Sequence, residues 1–148
     1  MPTNLYGPGD NFHPEHSHVL PALIRKFHEA KIRGDAAVTL WGSGTPRREF
    51  LHCDDLAEAC LRLLEIYDSH ELVNVGCGED ITIAGLATLV KAATGFDGAI
   101  HWDTSMPDGT PRKLLDVRRI RSLGWRPEIG LAEGIASAYR WFLDNTQA

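Results

Sequence analysis

The sequence predicts an α/β fold with an incomplete sheet. Apolar residues recur at helical spacing in several separate segments. Short β-type runs lie between these segments, and the runs 36–41 and 72–75 are closed at once by glycine. The runs are too few and too scattered for a complete doubly wound sheet.

Taken in order, residues 1–5 read as the end of a strand. They break at Tyr6-Gly7-Pro8-Gly9-Asp10, where proline, glycine and aspartate supply strong turn chemistry. Residues 19–33 are predicted helical, with Val19, Leu20, Leu23, Ile24 and Phe27 in register. Residues 36–41 and 48–52 read as extended. Asp54 is the expected N-cap of a helix over 54–67 that buries Leu56, Cys60, Leu63 and Leu64 on one face. A strand over 72–75 stops at Gly76, Thr82 caps a helix that ends at Gly95, and residues 99–102 form another strand. A short helix over 117–123 precedes Gly124, and an amphipathic helix over 131–143 presents Leu131, Ile135, Tyr139 and Phe142.

Composition bounds the function. The 148 residues fit one domain, and 43% hydrophobic with 24% charged residues is a soluble globular balance. A net charge of −5 argues against nucleic acid as a partner. No apolar run approaches the roughly 18 residues that span a bilayer, so no membrane segment is expected. Cys53, Cys60 and Cys77 form no Cys-x-x-Cys pair and read as reduced thiols. With no secretory signal at residues 1–4, a cytoplasmic location is expected.

Three constellations carry possible chemistry. His13, His16 and His18 fall within six residues, either as a metal tract, as a polar loop, or with one imidazole as a general acid or base. A metal site normally draws ligands from a distant segment and no cysteine pair supplies them, so no metal is expected. His18 is the favoured acid–base candidate because a helix start fixes its position. A second group joins Arg25, Lys26, Trp41, Arg47 and Arg48 around Gly42-Ser43-Gly44. Guanidinium forks suit phosphate oxygens, and an indole either stacks on a purine or packs in a core. In the third, Pro107 to Lys113, Asp108 either accepts from ribose hydroxyls or simply faces solvent. The sequence contains no Gly-x-Gly-x-x-Gly and no Tyr-x-x-x-Lys.

Several motifs resemble GDP-L-fucose synthases, among the extended short-chain dehydrogenases. They are Pro2-Thr3-Asn4-Leu5-Tyr6-Gly7-Pro8, Asp10-Asn11-Phe12-His13-Pro14, Ser17-His18-Val19, Trp41-Gly42-Ser43-Gly44-Thr45-Pro46, Arg48-Glu49-Phe50-Leu51-His52, Asn74-Val75-Gly76 and the run from Pro107 to Asp116. The tryptophan motif and the 107–116 run are the most specific.

The resemblance implies that residues 1–148 are the C-terminal substrate-binding region of an extended short-chain dehydrogenase. The N-terminal NADP-binding Rossmann portion, with its catalytic cysteine, serine and Tyr-x-x-x-Lys pair, is expected to lie before Met1. This would make the chain either a truncation or a short protein that lost its redox half. The implied reaction is 3,5-epimerisation and 4-reduction of GDP-4-keto-6-deoxy-mannose with NADP(H). The 4-keto group acidifies the C3 and C5 protons by stabilising an enolate. By position, His18 matches the epimerisation histidine, while Pro2, Thr3, Asn4 and Leu5, with His18, border the nicotinamide. Lys26, Trp41, Arg48 and Asp108 match GDP-sugar contacts. The chain alone is expected to bind NADP(H) weakly or not at all, to be inactive, and to form a homo-oligomer, by domain swapping or otherwise. The alternatives are a non-catalytic GDP-sugar binding or assembly module, and a 4,6-dehydratase or 4-epimerase remnant.

Overall fold

The computed structural model describes residues 1–146. β1 (Asn4–Tyr6) leads through a polar loop to α1 (Val19–Arg33). β2 (Ala37–Trp41), β3 (Arg47–Arg48) and β4 (Phe50–His52) follow, then α2 (Cys53–Ile66). β5 (Ile81–Thr82) runs directly into α3 (Ile83–Thr94). β6 (Ala99–Asp103) opens a long exposed loop to β7 (Arg112–Lys113), before α4 (Arg118–Ser122) and α5 (Leu131–Asn145). β1 lies parallel to β4, β2 lies parallel to β6, and β3 sits between antiparallel β5 and parallel β7. Parallel pairs need crossovers. The β1–β4 connection contains α1, and the β2–β6 connection contains α3. The result is an α/β fold of small, partly Rossmann-like sheets.

The three long helices that form the main core follow their apolar spacing. α1 buries Leu20, Leu23, Ile24 and Phe27, a single stripe at helical period. Each such side chain stabilises by roughly 1.5–3 kcal/mol when fully buried. Pro21 falls in the first turn, where its missing N–H costs no intrahelical bond. α3 starts as its sequence predicts, with Thr82 accepting from the Gly85 N–H at 3.0 Å. α1 packs on α3 and α3 on α5. Their apolar faces enclose a cluster that also takes in Tyr6, Phe12, Val38, Leu40, Phe50 and Phe96. A second cluster gathers Leu51, Ala59, Val73, Val75, Val117, Ile120 and Trp125.

Four local expectations are corrected. Asp54 does not cap α2; buried His52 does, its Nδ1 accepting from the Asp54 N–H at 3.3 Å, while Asp54 and Asp55 sit in the first turn against the helix dipole. α2 turns Leu56 and Leu63 partly into the second cluster as expected, but it buries Asp55 and Ala59 and leaves Cys60 and Leu64 exposed, Leu64 at 83%. Asp55 is drawn inward by the N–H groups of Glu128 and Ile129, at 2.9 and 3.2 Å. The 72–75 strand reduces to one parallel bridge between Pro2 and Val75, made by the Thr3 N–H to the Val75 carbonyl and the Val75 N–H to the Met1 carbonyl, while Arg119 takes the Leu72 carbonyl. The 48–52 run is interrupted at Glu49, whose side chain turns into the interior.

Candidate functional site

A cleft of about 340 Å³ opens where several loops and strand ends converge. β1 contributes Asn4 and Leu5, the start of α1 contributes His18, the end of β2 contributes Trp41, β3 contributes Arg48, and the loop after β6 contributes Asp108. Ligand crevices in open α/β folds lie outside the carboxyl ends of strands, which is where Trp41 stands on β2. Of the residues singled out from sequence, Pro2, Thr3 and Lys26 are not in this lining. Pro2 bridges Val75, Thr3 Oγ1 donates to the Glu49 carbonyl at 3.3 Å, and Lys26 Nζ donates to the Thr39 carbonyl at 3.0 Å.

The histidines separate. His13 and His16 stack on each other with ring centroids 4.8 Å apart, and His13 Nδ1 accepts from the Glu15 N–H. His18 stands apart at the N-cap of α1 in extended backbone, and its side chain makes no capping bond, which leaves the imidazole to the cleft. The donor atoms of His52, Cys53 and Asp54 also lie within 4.8 Å of one another. They come from three consecutive residues, and the His52 Nδ1 is already engaged by the Asp54 amide.

The cations separate as well. Arg25 pairs with Glu29 at 2.6 Å, and Arg47 pairs with Asp80 at 2.7 Å. Asp80 also receives Arg112, and hydrogen bonds from Arg112 and then Arg47 hold its carboxyl below the usual carboxylate range. Arg48 instead donates Nη1 to the carbonyls of Arg47 at 2.7 Å and Thr110 at 2.5 Å, and its charge lines the cleft with no carboxylate of the described residues paired to it. Trp41 is 70% exposed and lines the same cleft, an open aromatic face beside a cation.

Two residues missed in the sequence organise this arrangement. Glu49 is fully buried and accepts from the Gly78 N–H at 2.6 Å and the Leu115 N–H at 3.0 Å. Its carbonyl takes Asn4 Nδ2 at 2.8 Å, so one residue ties β1, the 76–78 turn and the segment after β7 together. A Cβ at Gly76 would stand 2.4 Å from Glu49 Oε1, which is why glycine follows Asn74-Val75. The available signal was a carboxylate set directly against the apolar pair Phe50-Leu51. Ser43 is the other, with its N–H 2.9 Å and its Oγ 2.6 Å from the Asp108 oxygens. A second cleft of about 600 Å³ shares Arg48 and is lined by Tyr6, Cys77, Asp80 and Arg126.

Fold and cleft together define an α/β chain with partial Rossmann-like sheets and a polar, aromatic-edged crevice at strand ends. The model of the NAD dependent epimerase/dehydratase family matches residues 1–76, and the chain belongs to that family. It is 58% identical over 145 residues to GDP-L-fucose synthase 1 of Arabidopsis thaliana, covering 98% of this chain and 45% of that protein. It is 53% identical over 156 aligned positions to GDP-L-fucose synthase of Escherichia coli K12, covering 98% and 48%. Among solved structures, a GDP-L-fucose synthetase from Naegleria fowleri bound to NADP superposes with a TM-score of 0.91 at 34% identity, covering 97% of this chain and 46% of that one. The chain thus spans about half the length of the relatives it matches.

Proposed function

We propose that residues 1–148 act as the substrate-binding region of a cytoplasmic GDP-L-fucose synthase-like 3,5-epimerase/4-reductase whose substrate is GDP-4-keto-6-deoxy-mannose. The observation that carries this reading is the cleft itself, which places an uncapped histidine, an exposed indole and a carboxylate-free arginine around one space. In this reading His18 exchanges a proton at C3 and C5 of the keto sugar. Imidazole suits the role because it takes and returns a proton near neutral pH. Trp41 covers the base, Arg48 faces the pyrophosphate, and Asp108 accepts from a hydroxyl; Lys26, outside the cleft lining, joins Arg48 only by releasing the Thr39 carbonyl. NADPH, when bound, supplies the hydride for C4. The residues here fit only its nicotinamide border, through Asn4 and Leu5 beside His18. The sequence has no glycine turn for the cofactor pyrophosphate.

GDP is expected to bind more tightly than UDP, and to weaken as salt rises, because cations near a pyrophosphate are screened. Arg48→Ala should lower GDP affinity on the order of tenfold. Calorimetry at two ionic strengths tests this; a folded chain indifferent to GDP, or to the loss of Arg48, sinks it.

The absence of both Gly-x-Gly-x-x-Gly and Tyr-x-x-x-Lys favours a second reading, a non-catalytic GDP-sugar binding or assembly module. Under either reading the chain alone is expected to consume no NADPH with the keto sugar, and to self-associate. Met1, Leu61, Leu64 and Leu72 are 62%, 65%, 83% and 86% exposed, and the small sheets present open edges. A swapped or paired homo-oligomer covers such surfaces. Light scattering over a dilution series, with a coupled NADPH assay, checks both parts: a monomer at every concentration refutes the association, and turnover by the chain alone refutes its inactivity. No helix among the described residues is long and apolar enough to cross a membrane.

A further inference from the structure

We propose that Ser43 is a positioning residue of the cleft: by donating both its backbone N–H and its hydroxyl to Asp108, it pins the strap of residues 104–111 as one wall of the site. The proposal rests on the GDP-sugar reading above.

The strap has little apolar burial to hold it. Residues 107–111 are all exposed, yet Pro107, Asp108 and Gly109 line the cleft. Polar contacts fix it instead. At its far end Arg48 Nη1 donates to the Thr110 carbonyl at 2.5 Å and the Arg47 N–H to the Pro111 carbonyl at 2.8 Å. In its middle, Ser43 alone among the described residues hydrogen-bonds Asp108, at 2.9 Å from its nitrogen and 2.6 Å from its hydroxyl oxygen.

The geometry around Ser43 is fully committed to this contact. A serine hydroxyl has one proton and two lone pairs. The proton goes to Asp108. The Thr45 hydroxyl and N–H, 2.7 and 3.2 Å away, must then both donate to Ser43 Oγ. The backbone makes room in turn: Gly42 has φ +80°, and a Cβ there would lie 2.3 Å from Asp108 Oδ1. Asp108 still keeps a spare lone pair on each oxygen, so it can be held from behind by Ser43 while accepting a ligand hydroxyl from the front. The two most specific sequence motifs therefore meet at one contact, and Ser43 sets where Asp108 stands without itself lining the cleft.

The contact also carries a pH signature. Hydrogen bonds from the Ser43 hydroxyl and then its N–H hold the Asp108 carboxyl below the usual carboxylate range. With the folded value depressed, the pin is complete above the ordinary range and is lost as pH falls through the lowered value.

The test compares the wild-type chain with S43A, D108N and the double variant, using GDP calorimetry across pH and hydrogen exchange, without ligand, of the amides that hold the strap, those of residues 43, 47, 105 and 106. S43A is expected to weaken GDP binding about 5- to 10-fold and to speed strap exchange about tenfold. Adding S43A to D108N should cost little more, because the two residues act as one unit. The pH at which affinity falls should rise in S43A. Additive losses, or strap exchange unchanged by S43A, overturn the proposal. A wild-type chain that binds no GDP overturns the reading on which it rests, and the exchange arm then decides separately whether Ser43 pins the strap.

Discussion

His18→Ala is expected to slow exchange of the C3 and C5 protons of GDP-4-keto-6-deoxy-mannose by roughly 10²–10⁴-fold, the range a positioned acid–base group contributes. The measurement requires a complete enzyme, made by joining this chain to the N-terminal half of a homologous GDP-L-fucose synthase and following deuterium uptake by NMR. His13→Ala and His16→Ala are the controls. Their rings stack on each other in the loop before α1, whereas His18 alone of the three lines the cleft. Both controls should stay within a few-fold of the parent. The extended backbone at His18 and the carbonyl bond that the Ala22 N–H makes to it would survive the substitution, so the helix start is retained. Similar losses from all three substitutions would refute the acid–base assignment and favour a metal tract or a folding role.

Glu49→Ala is expected to produce the largest stability loss in the cleft region. It strands the half-buried Gly78 and Leu115 N–H groups. A fully buried stranded donor costs about 1–3 kcal/mol, so two half-buried ones, with the lost packing of Glu49 itself, cost roughly 2–4 kcal/mol. That is a large part of the roughly 5–15 kcal/mol that holds a typical domain together. Glu49→Gln keeps one side-chain oxygen as an acceptor and should lose about half as much. Urea unfolding with an unchanged slope and a lowered midpoint is the expected signature. An alanine variant as stable as the parent would mean that water or a rearranged turn replaces the carboxylate, and the tie between β1, the 76–78 turn and the segment after β7 would be discounted.

The sequence made the long helices plain because their periodic faces are also their packing faces. The stripe from Leu20 to Phe27 and the pair Ile135 and Phe142 point into the same cluster that the spacing implies. α2 was legible as a helix and misleading as to its face. Of Leu56, Cys60, Leu63 and Leu64, Leu56 and Leu63 do pack on the second cluster, but the buried positions are Ala59 and Asp55, the latter because two amides at 128 and 129 need an acceptor there. The strands β3, β5 and β7 span two residues each, too short for alternation to declare them. Their pairing is set by partners up to 65 residues away along the chain, as between Arg47 and Arg112. In the cleft, the motifs singled out residues by type. What they could not give was which cation is already spent: Arg25 on Glu29 and Arg47 on Asp80, with Arg48 left facing the cleft. Nor could they give the supporting roles of Ser43, on the Asp108 carboxylate, and Glu49, on backbone amides, since a residue that holds another one in place has no signature of its own.

The paired strands β1 and β4 have a consequence for how the chain comes apart. Successive side chains of a strand point to opposite faces. On β4, Phe50 therefore enters one apolar cluster and Leu51 the other; on β1, Tyr6 joins the first while Leu5 packs on the second. This two-stranded partition is a party wall between two rooms. Neither room can be emptied without stripping one side of the wall, so damage on either side is transmitted to the other through the paired backbone that the two faces share. The molecule should accordingly melt as one cooperative unit, and the quickest way to split its transition in two is to weaken the wall at Phe50 or Leu51, leaving each room furnished but no longer adjoining.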